Sequence, residues 1–263
     1  MKMSSIDRTR KERKAVVTKE DIKKGLRELG LKQGDVAGVH SSLSSLGYAE
    51  NGADTVIDAL LEVVGEEGAV VVPTYSTNRI EFERTPEEIE MGLSWKFKVL
   101  PYDPRETPCW TGKIPDTFWR RKEAVRSSHP VFSLAAIGKK AEELCKGWDK
   151  LLEASGYILL IGVGLDRCTA MHLAEDRVQL PERILKKITP PAGLLEKYPE
   201  PERETDFGPY PDFAKMEEIC KKHGIMKITT IVEATVRLLK LKELIELYVE
   251  ALRNNSDMFC SET

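Results

Sequence analysis

Behind Thr18, the apolar residues Ile22, Leu26 and Leu29 recur at helical spacing, Thr18-x-x-Asp21 has the form of an N-terminal capping box, and Gly30 closes the run. The period predicts a first helix that begins the ordered chain at Thr18. A short apolar run at Val36–Val39 reads as a strand, and Ala53, Val56, Ile57, Leu60, Leu61 and Val64 then form one helical stripe ended by Gly65. A second apolar run, Ala69–Val72, follows directly. Strand, helix and strand at this spacing make a parallel crossover unit, and in parallel sheets ligands bind beyond the carboxyl ends of the strands. His40-Ser41-Ser42 and Pro73-Thr74-Tyr75 both occupy such ends and are expected to be neighbours in space.

Residues 76–117 mix Pro, Trp, Gly and charge without a clean period and read as a long excursion from the sheet, of the kind that often binds ligands. The core pattern resumes with a strand over 131–137, a helix over 139–146 stopped by Gly147, and a continuous apolar strand over 157–163 ending in Gly164. A further helix is expected to open near Cys168 and Thr169. Pro181, Pro190, Pro191, Pro199, Pro201 and Pro209 crowd the stretch up to Pro211 and exclude long regular elements there, so a second excursion is expected over 181–213. The β-branched stretch 225–236 precedes an amphipathic terminal helix marked by Leu241, Leu244, Ile245, Tyr248 and Leu252. No internal repeat or linker interrupts 18–263, which reads as a single domain after a flexible segment, 1–17; the basic residues of that segment suit either an anion-binding arm or a solvated terminus.

Composition narrows the function without naming it. Among 263 residues, 40 Lys and Arg oppose 43 Asp and Glu, a net charge of −3, which argues against nucleic acid as the main partner. With no apolar run long enough to span a bilayer and no signal-like start, the chain reads as cytoplasmic with no membrane partner. Cys109, Cys145, Cys168, Cys220 and Cys260 are scattered, odd in number and without a CxxC pair, against both a disulfide framework and a structural zinc site.

Three of the four histidines, His40, His129 and His172, sit in or beside polar loop-like segments, whereas His223 reads as a helix C-terminus. In Gly162-Val163-Gly164-Leu165-Asp166-Arg167-Cys168-Thr169-Ala170-Met171-His172-Leu173-Ala174-Glu175-Asp176, helical spacing sets Thr169, His172 and Glu175 or Asp176 along one face. A histidine with a carboxylate one turn away suits a general base, and equally a hydrogen-bonded structural pair. H-x-x-E supplies too few ligands for a metal, and Gly162-Val163-Gly164 lacks the third glycine of a dinucleotide fingerprint. The hydroxyls and amides of Ser41, Ser42, Ser44 and Ser45 suit a phosphate group or a plain capping turn, and Arg126-Ser127-Ser128-His129-Pro130 could serve the same anion or simply shape a turn.

Taken together, VHSSLSSLGY at 39–48, ADTVIDALLEVVGEEG at 53–68, VVPTY at 71–75, RSSHPVFSLAAIG at 126–138 and LLIGVGLDRCTAMHLAE at 159–175 stand in the order and spacing of a known family. The chain, over roughly 18–250, resembles the aminoglycoside N3-acetyltransferases of the antibiotic acetyltransferase family. The resemblance implies an α/β sandwich around a central, mixed or mostly parallel sheet, distinct from the GCN5-type fold. It further implies transfer of acetyl from acetyl-CoA, without a metal, to the 3-amino group of a 2-deoxystreptamine aminoglycoside, and hence antibiotic resistance. His172 would be the general base, Glu175 its orienting partner or a ligand for a substrate ammonium, and Thr169 would face the thioester carbonyl or the substrate.

His40, Ser41, Ser42, Ser44 and Ser45 would lie near the CoA phosphates, Pro73 and Thr74 along the pantetheine, with Ser127 and His129 alongside. A polycationic sugar calls for carboxylates, for which Glu175, Asp176, Asp103, Asp206 and Asp212 are the candidates. Direct transfer needs no cysteine, so Cys168 need not be a covalent relay. Arg167 sets a cation near a site meant for cations, which keeps open the same chemistry on another amine, beside a CoA-binding module without turnover. A hydrolase using Cys168 or a serine would instead release CoA without an amine. A homodimer is compatible with the chain, although no sequence period identifies its interface.

Overall fold

The computed structural model describes residues 16–259 except 77, 78, 92, 94, 180–191, 198–202 and 205–211. Along the chain run β1 (Val16–Val17), α1 (Lys19–Leu29), β2 (Val36–Ser41), β3 (Tyr48–Ala49), α2 (Ala53–Val64), β4 (Ala69–Pro73), β5 (Arg79–Glu81), α3 (Pro86–Glu90), β6 (Trp95–Val99), α4 (Lys113–Trp119), β7 (Val125–Arg126) and β8 (Leu134–Gly138). They are followed by α5 (Ala141–Leu144), α6 (Trp148–Glu153), β9 (Tyr157–Ile161), α7 (Ala192–Lys197), β10 (Arg203–Glu204), α8 (Met216–Lys222), β11 (Lys227–Ile231), β12 (Ala234–Lys240) and α9 (Leu241–Asn255).

Seven strands form the central sheet in the order β11-β12-β9-β2-β4-β8-β7. β2 runs parallel to both β4 and β9, and the remaining pairs are antiparallel, so the sheet is mixed around a parallel centre. The central strands are buried on both faces, as their continuous apolar runs require. Along β2, Ala37 and Val39 enter a core shared with α1, α2 and α4, while β4 sends Val70 and Val72 to that core and Ala69 and Val71 to the opposite one. The second core is closed by α5, α6, α8 and α9. Gly38 lets α6 approach β2: a Cβ there would meet Leu151 at 2.5 Å and Trp148 at 2.9 Å.

The first helix has the predicted capping box and ends on Gly30 at φ +103°. Residues 1–15 of the expected flexible segment lie outside the described residues, but Val16 and Val17 do not fit that expectation: they pair with Tyr48 and Ala49, and Val17 is buried in the core. Two strands of the stretch 76–117, β5 and β6, pair with β10 from the second excursion in a three-stranded sheet, β10-β6-β5, apart from the central one, yet the chain then returns to the core, because Ile114, Phe118 and Trp119 give α4 an apolar face. The strand expected over 131–137 begins only at Leu134: the imidazole Nδ1 of His129 accepts the amide hydrogens of Val131 and Phe132 and holds those residues in a turn. Among the described residues no helix is long and apolar enough to cross a membrane.

Candidate active site

The carboxyl ends of β2 and β4 open into a cleft of about 370 Å³, lined among others by His40, Ser41, Pro73, Tyr75, Arg167 and Thr169. The two strand-end segments are thus neighbours, as the crossover reading requires. Side-chain alternation sends His40 away from the Ala37–Val39 face, and its ring packs against Trp148 with centroids 5.3 Å apart. Only 4% of His40 is exposed, and burial pulls its pKa down to about 4, so the imidazole is neutral at physiological pH. Among the described residues, buried His40 Nε2 and Ser41 Oγ meet no hydrogen-bond partner, two polar atoms that a ligand in the cleft could satisfy.

The rest of the serine loop is occupied with itself. Residues Leu43–Leu46 make a single 3-10 turn in which Ser42 and Ser44 share a 3.1 Å hydroxyl contact and Ser45 Oγ donates to the Ser42 carbonyl at 2.6 Å. Pro73 lines the cleft, but Thr74 is fully buried and its hydroxyl bonds to Ser133. Arg126 clamps the same segment, donating to the Thr74 carbonyl at 2.6 Å and to Thr74 Oγ1 at 3.0 Å, with its guanidinium over the Trp119 and Tyr102 rings. Its charge is therefore spent inside the fold. Ser127 Oγ accepts the Leu134 amide hydrogen, and His129 is used in its own turn; neither lines the cleft.

The helix expected at Cys168 and Thr169 is a 3-10 helix, Thr169–Arg177, after a shorter one at Leu165–Arg167. With three residues per turn, positions 169, 172 and 175 stand nearly in line. His172 Nδ1 lies 3.0 Å from Glu175 Oε2, and its ring meets Phe213 edge-on at 4.9 Å. A carboxylate only accepts, so the contact assigns the hydrogen to Nδ1 and leaves Nε2 as the basic nitrogen, on a side chain half exposed to solvent. Glu175 Oε1 is buried and meets no partner among the described residues. Thr169 accepts a 2.7 Å hydrogen bond from the Tyr75 hydroxyl, which joins this helix to the end of β4.

Asp212 sits beside Phe213 and pairs with Lys215 at 3.7 Å, whereas Asp103, which does not line the cleft, caps its own turn by accepting the Arg105 amide hydrogen at 2.7 Å. Asp206 and the side chain of Asp176 lie outside the described residues. Sequence reasoning assigned no role to Tyr75, Trp110, Thr111, Pro115, Val163 or Asp166, all of which line the cleft. Only the position of Tyr75 at a strand end signalled it. Cys168 is fully buried and burial pushes its thiol up to about 12, so no thiolate nucleophile is available there. Among the described residues no cluster of His, Cys, Asp and Glu could hold a metal ion.

Residues 39–253 match the family model described as aminoglycoside 3-N-acetyltransferase. The chain belongs to this family. It is 36% identical over 173 residues to aminoglycoside N(3)-acetyltransferase IX of Micromonospora chalcea, a match covering 60% of this chain and 62% of the relative, so that less than two thirds of that relative's length is spanned. Over 259 residues it is 30% identical to the SPbeta prophage-derived aminoglycoside N(3')-acetyltransferase-like protein YokD of Bacillus subtilis (strain 168), covering 90% of this chain and 93% of the relative. A solved structure, AAC-IIIb binary with CoASH, superposes with a TM-score of 0.70 at 23% identity, over 95% of this chain and 100% of that one, and shares the fold.

Proposed function

We propose that this chain of the aminoglycoside 3-N-acetyltransferase family is a cytoplasmic enzyme that moves acetyl from acetyl-CoA to an amine of an aminoglycoside, the 3-amino group of 2-deoxystreptamine, and so confers resistance. The observation that carries the reading is the 3.0 Å His172–Glu175 pair on the 3-10 helix whose Thr169, one turn before His172, lines the cleft. An aminoglycoside amine is largely protonated at neutral pH and must lose a proton to attack a thioester. The ammonium gives its first proton to solvent; as the amine nitrogen then bonds to the carbonyl carbon, His172 Nε2 takes a second proton from it while Glu175 holds the ring, the C–S bond breaks, and CoA leaves as the thiol after receiving that second proton from His172. Glu175 Oε1, buried and without a partner among the described residues, is suited to a second substrate ammonium.

For acetyl-CoA, the unpartnered Nε2 of a neutral His40 and the Ser41 hydroxyl suit the carbonyl and amide groups of the acyl-pantetheine better than its phosphates, because a neutral imidazole adds no charge to an anion site. Ser42, Ser44 and Ser45 would contribute mainly by shaping the turn, and Pro73 and Thr74 by forming the wall beside the pantetheine. Ser127 and His129, which do not line the cleft, would act only by shaping the segment that precedes β8. Asp212, beside Phe213, would add an acidic group near the His172 ring, and Asp103, Asp176 and Asp206 remain candidates for drawing in a polycation by charge alone.

Arg167 favours a second reading. It lines the cleft and lies 3.1 Å from Asp166, a cation where a polycation would enter, which suits an amine less charged than an aminoglycoside. Thiol release from acetyl-CoA with a panel of 2-deoxystreptamine aminoglycosides and simpler amines, beside a no-acceptor control and His172→Ala, tests both readings. The expected result is release that requires an aminoglycoside and falls at least about 100-fold in His172→Ala while CoA binding persists. Release only with simpler amines selects the second reading, and release without any acceptor points to a hydrolase.

A further inference from the structure

Tyr75 reaches from the end of β4 to the 3-10 helix that carries His172, and its phenol donates to Thr169 Oγ1 at 2.7 Å. The direction of this bond matters. With Oγ1 engaged as an acceptor, the Thr169 hydroxyl keeps its own hydrogen, which meets no other partner among the described residues, and both side chains line the cleft. A threonine hydroxyl left alone rotates and bonds back to nearby backbone carbonyls.

Tyr75 itself is held from several sides. Its carbonyl accepts the Trp110 amide hydrogen at 2.9 Å, its ring meets Phe132 edge-on at 5.4 Å, and the preceding Thr74 is clamped by Arg126. Burial pushes its phenol pKa up, opposed by contacts from Thr169 and Trp148, so the group remains a protonated donor through neutral pH.

Resting on the acyl-transfer reading above, we infer that Tyr75 is a positioning residue for Thr169, holding the Thr169 O–H toward the thioester carbonyl oxygen. When the amine nitrogen bonds to the carbonyl carbon, the C=O electron pair moves to oxygen, and the Thr169 O–H donates to the oxyanion so formed. Collapse restores C=O and expels the CoA sulfur, which receives the proton held by His172. Donors fixed before the charge develops stabilise it without reorganising during the reaction.

The test is a double-mutant cycle on the full chain, reading kcat and both KM values by thiol release with whichever amine the wild-type enzyme accepts. Tyr75→Phe is expected to lower kcat about tenfold with KM for acetyl-CoA and amine within about threefold; Thr169→Val lowers kcat further, and the double variant is no slower than Thr169→Val alone. Losses that multiply in the double variant, an effect confined to KM, or an unchanged Tyr75→Phe would overturn the proposal. As a second readout, 3-fluorotyrosine at 75 keeps the ring and hydroxyl but lowers the phenol pKa. The alkaline limb of kcat must then shift to lower pH, and an unmoved limb also overturns the proposal. Wild-type protein that releases no thiol with any amine sinks the acyl-transfer reading and this one with it, whereas turnover indifferent to Tyr75→Phe sinks this one alone.

Discussion

Gly162 and Ser45 approach so closely that no side chain fits at position 162: a Cβ there would lie 1.6 Å from Ser45 Oγ and 2.3 Å from its Cβ. The contact joins the loop after β9 to the turn after β2. It therefore couples the segment leading to Thr169 and His172 with the segment carrying Ser41.

Gly162→Ala should accordingly damage both stability and ligand binding. The residue sits at φ +65°, a conformation that costs a non-glycine residue about 1–2 kcal/mol, and the displaced Ser45 would lose its bond to the Ser42 carbonyl, about 1 kcal/mol more. Urea denaturation should show a loss of about 2–3 kcal/mol, and calorimetry a weaker CoA affinity. A variant within about 0.5 kcal/mol of wild type would mean that the turn yields at little cost.

Much of this architecture is legible in the residues themselves. The Thr18–Asp21 capping box, the stripe of α2 and the β2–α2–β4 crossover follow from local periodicity, and the crossover alone brings His40 and Pro73 to one cleft. Local patterns fail where a distant or unusual group decides. The β11–β12 hairpin turns at Val232 and Glu233, with Val232 at φ +54°, where the usual Asn-Gly signal is missing. α6 is only six residues long, too short for a period, yet its Trp148 supports His40. The Tyr75–Thr169 bond spans 94 residues of chain, beyond the reach of any local pattern. For Arg126 the sequence left an anion ligand and a turn equally open, because it shows the charge and not the carbonyls that occupy it.

Acid should expose the cost of burying His40. Its pKa falls from 6.5 to about 4 through burial, so between those values the unfolded chain binds a proton that the folded chain does not. The stability this group contributes is therefore present above pH 6.5 and is lost as pH falls through about 4, amounting to about 3 kcal/mol at most. Urea denaturation of wild type and His40→Gln at a series of pH values should show a shallower acid loss in the variant across that window. Parallel curves would assign the acid sensitivity to other groups.

Cys168 allows the opposite pH limb to be tested and a covalent mechanism with it. Burial pushes its thiol from 9.0 to about 12, so in that interval the folded chain holds a proton that the unfolded chain has lost, and the contribution present below pH 9 declines as pH rises toward 12. At pH 8 iodoacetamide should leave Cys168 unmodified in the native protein and alkylate it in urea, as read by peptide mass spectrometry. Cys168→Ala should cost about 1 kcal/mol from the lost packing while keeping kcat for acetyl transfer within about threefold. An acetylated Cys168 trapped in quenched turnover, or loss of turnover in a folded Cys168→Ala protein, would instead require a thioester relay through a buried sulfur and would displace His172-assisted direct transfer.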